Sequence, residues 1–91
     1  MDKSNNAYKT IGEVTKILNL KSNIKGELPT HTIRFWEKQF KQVKPKILNA
    51  NRRYYDEECI NTLKKIKFLL KDKGMTINGV KKILNGQDTL Q

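Results

Sequence analysis

Three arginines, and the polar residues around the first of them, are the side chains in this sequence best suited to chemistry. Arg34 lies close to His31 and Thr32, whereas Arg52 and Arg53 are adjacent in a later segment. A guanidinium group can fork onto guanine O6 and N7 or onto two phosphate oxygens. Hydroxyl and imidazole groups can add short hydrogen bonds to a phosphate or to a base edge. These residue types indicate recognition of a nucleic acid.

Residue patterns typical of catalysis or of metal binding are absent from the sequence. It contains no paired carboxylates, no cluster of Cys and His, and no glycine-rich loop that could cradle a phosphate. Cys59 is the single cysteine, so no internal disulfide can form, and His31 is far from it along the chain. We therefore expect a protein that is not an enzyme and that uses no metal and no cofactor.

The charge balance favours a polyanionic partner. The 91 residues carry a formal net charge of +10, most of it from lysine. Nucleic acids and anionic membrane surfaces are the usual partners of such chains. The longest apolar stretch, residues 68–70, is too short to cross a bilayer, and residues 1–6 lack the apolar core of a signal peptide. We expect a single cytoplasmic domain without a membrane partner.

The first predicted helix spans residues 11–19. Thr10 and Glu13 have the spacing of a capping box, and apolar residues follow at helical intervals. Residues 21–29 contain Ser, Asn, Gly and Pro, which predicts a loop.

Arg34 belongs to the second predicted helix. This helix begins at a cap formed by Thr30 or Thr32 and continues through about Gln39. Its apolar stripe predicts a core-facing surface made of Ile33, Trp36 and Phe40.

Arg52 and Arg53 belong to a predicted β-hairpin. Two short β-prone runs, 43–48 and 52–55, flank an Asn-containing turn at 49–51. Asparagine tolerates the left-handed conformations that tight hairpin turns need. The arginines therefore lie near the tip of the hairpin.

Two further helices follow the hairpin. Asp56 is a good N-cap for the third helix, and Gly74 is suited to its C-terminal end. The fourth helix starts near Thr76 and stops at Gly86. This order predicts a mainly α fold, a winged helix-turn-helix of about four helices with a two-stranded hairpin wing between helices 2 and 3. In such folds the second helix enters the major groove, and the wing reaches the flanking backbone or the minor groove.

Several segments of the chain resemble, in the same order, the DNA-binding domain of MerR-type regulators. The resemblance extends over roughly residues 8–84, and any one segment alone would be weak support for it. The similar segments are the opening helix at 10–18 (TIGEVTKIL), the recognition helix at 32–37 (TIRFWE, with Phe-Trp where other members carry Tyr-Tyr), the wing and the start of the third helix at 51–58 (NRRYYDEE), and the end of the domain at 73–77 (KGMTI) with 81–84 (KKIL).

The resemblance implies a regulator of transcription that binds double-stranded DNA. Its recognition helix, about 30–39, would lie in the major groove, and its wing, about 46–55, on the flanking backbone. The residues that match DNA-contacting positions are Thr32 and Arg34, with Phe35 beside them, and Arg53 and Tyr55 in the wing.

Other residues near these positions are expected to support binding. Arg52 is a candidate for a backbone contact in the wing, and His31 for a phosphate contact near the start of the helix. Lys38 is expected to add diffuse electrostatic attraction. Glu37 matches an acidic position of the family, and we expect it to brace the recognition helix against the wing.

The chain departs from the family pattern in two places. The family joins its first two helices by a tight turn, whereas here residues 20–29 form an apparent insertion of about eight residues. Family members also continue into a long helix that pairs as a coiled coil, followed by an effector-sensing part. No heptad repeat follows residue 84 here, which is consistent with two interpretations. The chain is either a DNA-binding fragment of a longer regulator or a short member of the family. We expect a disordered tail at 1–7, the domain at 8–85 and a C-terminal tail at 86–91.

The sequence leaves more than one interpretation of the oligomeric state and of the function. We expect a monomer in solution, with a homodimer on DNA or through a missing C-terminal helix as the alternative. A phage-excisionase-like or other architectural DNA-binding protein would use the same fold. A small basic RNA-binding protein is a further alternative, and exposed aromatic side chains would favour it.

Overall fold

Helices and one small antiparallel sheet form the part of the chain that the structure describes, residues 8–21, 29–48 and 50–86 of a computed structural model. The predicted tail at 1–7, most of the predicted insertion at 20–29 and most of the C-terminal tail lie outside these described residues. The order of helices and strands along the chain confirms the predicted fold, a mainly α winged helix-turn-helix. In chain order the elements are β1 (Lys9–Thr10), α1 (Ile11–Ile17), α2 (Thr30–Gln39), β2 (Lys46–Leu48), β3 (Arg52–Tyr55), α3 (Glu57–Lys67), a π-helical turn (Phe68–Asp72) and α4 (Ile77–Leu84).

The start of α1 follows directly from its sequence. The Glu13 amide donates a hydrogen bond to Thr10 Oγ1 at 3.3 Å, and the Thr10 amide donates to Glu13 Oε1 at 2.8 Å. This reciprocal pair satisfies two backbone donors and is the predicted capping box. The helix ends at Ile17, slightly before the predicted end, and Asn19 then turns the chain with φ of 58°.

The start of α2 differs from the prediction of a threonine cap. Pro29 occupies the N-cap position, and no side chain caps the helix. Instead the Thr32 amide donates to the Pro29 carbonyl oxygen at 3.1 Å, which closes the first turn through the backbone. Thr30 and Thr32 both lie within the first turn of the helix, and neither of them caps it.

The sheet has one more strand than the sequence predicted. The hairpin of β2 and β3 is present, with Ile47 opposite Arg53. In addition β1 pairs with the other edge of β3, where Lys9 lies opposite Tyr55, so the strand order is β1-β3-β2. A two-residue strand is too short to produce an alternating pattern, and so it could not be predicted. Its pairing ties the start of α1 to the wing.

The hairpin turn uses left-handed backbone conformations, as the Asn-containing sequence suggested. Ala50 and Asn51 have φ values of 57° and 61°. Two successive positive values are typical of the tight turns that match the twist of a hairpin.

The last two helices begin where the sequence predicted, and a side chain caps each of them. Asp56 Oδ1 accepts a hydrogen bond from the Cys59 amide at 2.8 Å, and Thr76 Oγ1 accepts one from the Gly79 amide at 3.0 Å. After α3 the chain widens into a π-helical turn, where the Lys73 amide donates a hydrogen bond to the Phe68 carbonyl oxygen five residues earlier at 3.0 Å. Gly74, with φ of 68°, then reverses the direction of the chain.

One apolar core joins these elements. Each buried aliphatic or aromatic side chain contributes about 1.5–3 kcal/mol through burial. The predicted core residue Trp36 is 3% exposed, and Tyr55 from β3 is fully buried beside the helices. The core therefore fixes α2 relative to β3. Its members are Val14, Leu18, Ile33, Trp36, Phe40, Val43, Tyr55, Cys59, Ile60, Leu63, Ile66 and Val80.

Candidate nucleic-acid interface

The outward face of α2 carries the first part of the candidate interface. Ile33 and Trp36 turn toward the core, which leaves the remaining faces of this helix to solvent. His31, Arg34, Phe35 and Lys38 are exposed and together line a shallow groove of about 260 Å³. Their spacing of three, four and seven residues places them on one face of the helix.

A second groove connects this helix to the wing. It has a volume of about 290 Å³ and lies between the first turn of α2, the start of α1 and β3. Arg34 lines both grooves, so the two form one continuous surface. All three arginines of the sequence meet in this second groove. Its lining residues are Thr10, Ile11, Thr30, Arg34, Arg52, Arg53 and Tyr54.

Glu37 connects α2 to β3 beneath this surface. Its Oε1 accepts a hydrogen bond from Arg53 Nε at 3.0 Å, and its Oε2 accepts one from the Tyr55 hydroxyl at 3.1 Å. The bonds from Arg53 to Glu37 use only Nε, so Glu37 does not engage the four terminal N–H groups of the guanidinium. Glu37 therefore holds Arg53 in a fixed orientation. This contact agrees with the bracing role that the resemblance implied for Glu37.

Tyr55, one of the predicted site residues, does not lie on the exposed surface. Tyr55 is 0% exposed, and its hydroxyl group donates a hydrogen bond to Oε2 of Glu37. Burial, followed by the negative charge of Glu37 and this hydrogen bond, raises the pKa of Tyr55 well above its ordinary value of 10.0. The phenol therefore stays protonated and acts as a donor. Its position is suited to holding the wing rather than to touching a ligand.

The other predicted site residues lie in or beside the two grooves. His31, Arg34, Phe35, Lys38 and Arg52 are exposed. Arg53 and Thr32 are half-buried, and the Arg53 side chain is 31% exposed.

Four residues of the second groove were not among the predicted site residues, namely Ile11 and three residues with hydroxyl groups. Thr10, Thr30 and Tyr54 line it beside the arginines. The sequence pattern of Thr10 indicates only a helix cap, and Thr10 comes to lie beside the arginines because β1 pairs with β3. The signal that could have found Thr30 is its position four residues before Arg34, which puts both on one helix face.

The chemistry of this surface is that of anion binding. The two grooves are lined by guanidinium groups, a lysine and hydroxyl groups, all of which can bind an anion. The net charge of +10 also attracts polyanions from a distance. Within residues 8–21, 29–48 and 50–86, no three His, Cys, Asp or Glu side chains come together as a metal site would require. In the same ranges, no helix combines the length and apolar character needed to cross a membrane.

Comparison with known proteins yields one match. The family model described as MerR HTH family regulatory protein matches residues 9–87. The matched segment includes α2, the wing and both grooves. No curated protein matches the chain, and no solved structure does.

Proposed function

The chain belongs to the MerR HTH family of regulatory proteins, and we propose that it regulates transcription by binding double-stranded DNA. In this proposal α2 enters the major groove and the wing contacts the flanking backbone. The single observation that carries the proposal is the continuous surface on which Arg34 connects the exposed face of α2 to Arg52 and Arg53 of the wing.

The shape of α2 supports its role as the recognition helix. The major groove of B-DNA is about 12 Å wide and admits one α-helix. Because Trp36 and Ile33 anchor one side of α2 in the core, the opposite side is presented as a rigid surface. Arg34 is at the centre of that surface, where a guanidinium can fork onto a guanine. We assign base contact to Arg34, and phosphate contacts to His31 and Lys38.

The wing is suited to a second contact, with the phosphate backbone of the DNA. Arg52 is exposed on β3, and the terminal nitrogens of Arg53 are not used by Glu37. Guanidinium groups held in a defined orientation are suited to two phosphate oxygens. Thr32 and Thr30 add hydroxyl groups at the start of α2, where backbone contacts are common.

A fluorescence-anisotropy titration with labelled duplex DNA tests the proposal. Duplex DNA from upstream of the gene is titrated at two salt concentrations, with single-stranded DNA and duplex RNA as competitors. We expect duplex DNA to bind tighter than either competitor, and we expect affinity to fall as salt rises because bound counterions are released. Equal binding of all three nucleic acids, or tighter binding of RNA, would contradict the proposal and favour the RNA-binding alternative.

A matched charge variant strengthens this test. Arg52→Ala removes a wing cation, whereas Lys65→Ala removes an exposed cation from α3, outside both grooves. Both variants lower the net charge equally. A larger loss of duplex affinity for Arg52→Ala indicates a localised interface, and equal losses would indicate only diffuse attraction.

Two further properties belong to the same proposal. We expect a monomer in free solution because chains with a net charge of +10 repel one another, and sedimentation analysis with and without duplex DNA measures this. We also expect control of a promoter. A promoter–reporter assay distinguishes a regulator from an architectural DNA-binding protein, which would bind without changing transcription.

A further inference from the structure

Phe35 is an unusual residue on the exposed face of α2. It is 48% exposed, whereas its neighbour Trp36 is 3% exposed and belongs to the core. Phe35 lines its groove together with His31, Arg34 and Lys38, so an apolar ring lies among three polar side chains. A side chain that contributes so little to the core, on the face that would meet DNA, is suited to contact with a ligand.

The chemistry of the ring limits what it can contact. Phenylalanine has no hydrogen-bond donor or acceptor, so it can bond neither a phosphate nor the polar edge of a base. The apolar group that a base pair exposes in the major groove is the C5-methyl group of thymine, and aromatic side chains are known to pack against it. In 5-methylcytosine the same group projects from the corresponding ring position.

The place of Phe35 on the helix favours this contact over insertion between bases. Aromatic and aliphatic wedges that unstack base pairs act mainly from the minor groove. Phe35 lies instead in the middle of α2, next to Arg34 and one turn after His31. At about 1.5 Å of rise per residue, Phe35 and Arg34 would meet the same or neighbouring base pairs.

We propose that Phe35 reads the C5-methyl group of a pyrimidine in the major groove, beside the base bound by Arg34. This inference depends on the proposed function, since it requires α2 to lie in the major groove. It adds a specific chemical preference, because the bound site should contain thymine, or 5-methylcytosine, at one defined position.

Replacement of thymine by uracil tests the proposal directly. Sites are first selected from a pool of random duplexes, and each thymine of the selected site is then replaced by uracil, which removes only the methyl group. We expect one position at which uracil weakens binding about fourfold, equivalent to about 0.8 kcal/mol for one buried methyl group. At that position, cytosine and 5-methylcytosine are also compared, and tighter binding of the methylated base would extend the preference to it. Equal binding of the two would restrict it to thymine.

Variants of Phe35 identify the side chain responsible. Phe35→Ala should bind the thymine and uracil duplexes equally, whereas Phe35→Leu should retain part of the preference. Phe68→Ala is the matched control, because Phe68 is 47% exposed and lines neither groove. Because Phe35 is outside the core, Phe35→Ala should remain folded, which circular dichroism verifies.

The outcomes separate this inference from the proposed function. If the wild-type protein binds duplex DNA but no thymine-to-uracil replacement matters, methyl reading is wrong and DNA binding stands. If Phe35→Ala keeps the thymine preference, another side chain reads the methyl group and the assignment to Phe35 is wrong. If the protein does not bind duplex DNA at all, both proposals are overturned.

Discussion

Arg53 Nε lies 3.0 Å from Oε1 of Glu37, and this ion pair joins the wing to α2. The two side chains are 31% and 14% exposed, so solvent screens the pair only in part. The same carboxylate accepts a hydrogen bond from the Tyr55 hydroxyl. One acidic side chain of α2 therefore holds two residues of β3, and through them fixes the wing relative to the helix.

Removal of this carboxylate should destabilise the protein. Glu37→Ala leaves the buried Tyr55 hydroxyl without its acceptor, which costs about 1–3 kcal/mol in the free energy of unfolding. Urea denaturation measures the change. Glu57→Ala is the control, because Glu57 is an exposed glutamate in the first turn of α3. An equal loss for the two variants would mean that the contacts of Glu37 contribute nothing specific.

Tyr55→Phe should separate stability from DNA binding. The variant keeps the buried ring but loses the hydrogen bond to Glu37, so we expect a loss of about 0.5–1.5 kcal/mol in the free energy of unfolding. Since Tyr55 is fully buried, duplex affinity should stay unchanged at temperatures where both proteins are folded. A loss of affinity without a loss of stability would instead indicate that the hydroxyl reaches DNA in the complex.

Arg34→Ala should weaken duplex binding and relax the preference for sequence. A bidentate contact to a base is worth about 1–3 kcal/mol of binding free energy. Arg34→Lys keeps the charge but loses the fork, so it should recover non-specific binding and not the sequence preference. Competition between the selected duplex and a scrambled duplex measures both effects. If Arg34→Ala binds the selected site as tightly as the wild type does, the assignment of Arg34 is wrong.

Lys38→Ala should change salt dependence rather than specificity. An ammonium that meets a phosphate releases about one counterion, so the slope of log affinity against log salt should become shallower by about 1. The loss should be uniform across sequences. Lys65→Ala, which removes an exposed lysine outside both grooves, should leave the slope closer to that of the wild type. Identical slopes for the wild type and Lys38→Ala would contradict the phosphate contact.

Local signals explain why the helices could be predicted from the sequence. Thr10, Asp56 and Thr76 each cap a helix through residues only three positions away, so their roles are visible in a short window. The hairpin was likewise apparent, because its two strands flank a turn that contains asparagine.

Contacts between distant segments explain what could not be predicted. The pairing of β1 with β3 joins Lys9 to Tyr55, far apart along the chain, and the two residues of β1 carry no pattern of their own. The burial of Tyr55 depends on that pairing and on Glu37, so composition could not distinguish it from an exposed wing residue. The role of Glu37 was predicted only because the sequence resembles a family.

The protein should lose stability as pH rises above about 9. Burial raises the pKa of the Cys59 thiol from 9.0 to about 11, and burial also raises the pKa of Tyr55. Both groups stay protonated in the folded state while they ionise in the unfolded chain, so high pH favours unfolding. For Cys59 the contribution is fully present below about pH 9 and is lost between 9 and 11, with a slope of at most about 1.4 kcal/mol per pH unit. Urea denaturation from pH 7.5 upward should show a shallower decline for Cys59→Ala than for the wild type. Parallel declines would mean that the thiol ionises equally in both states.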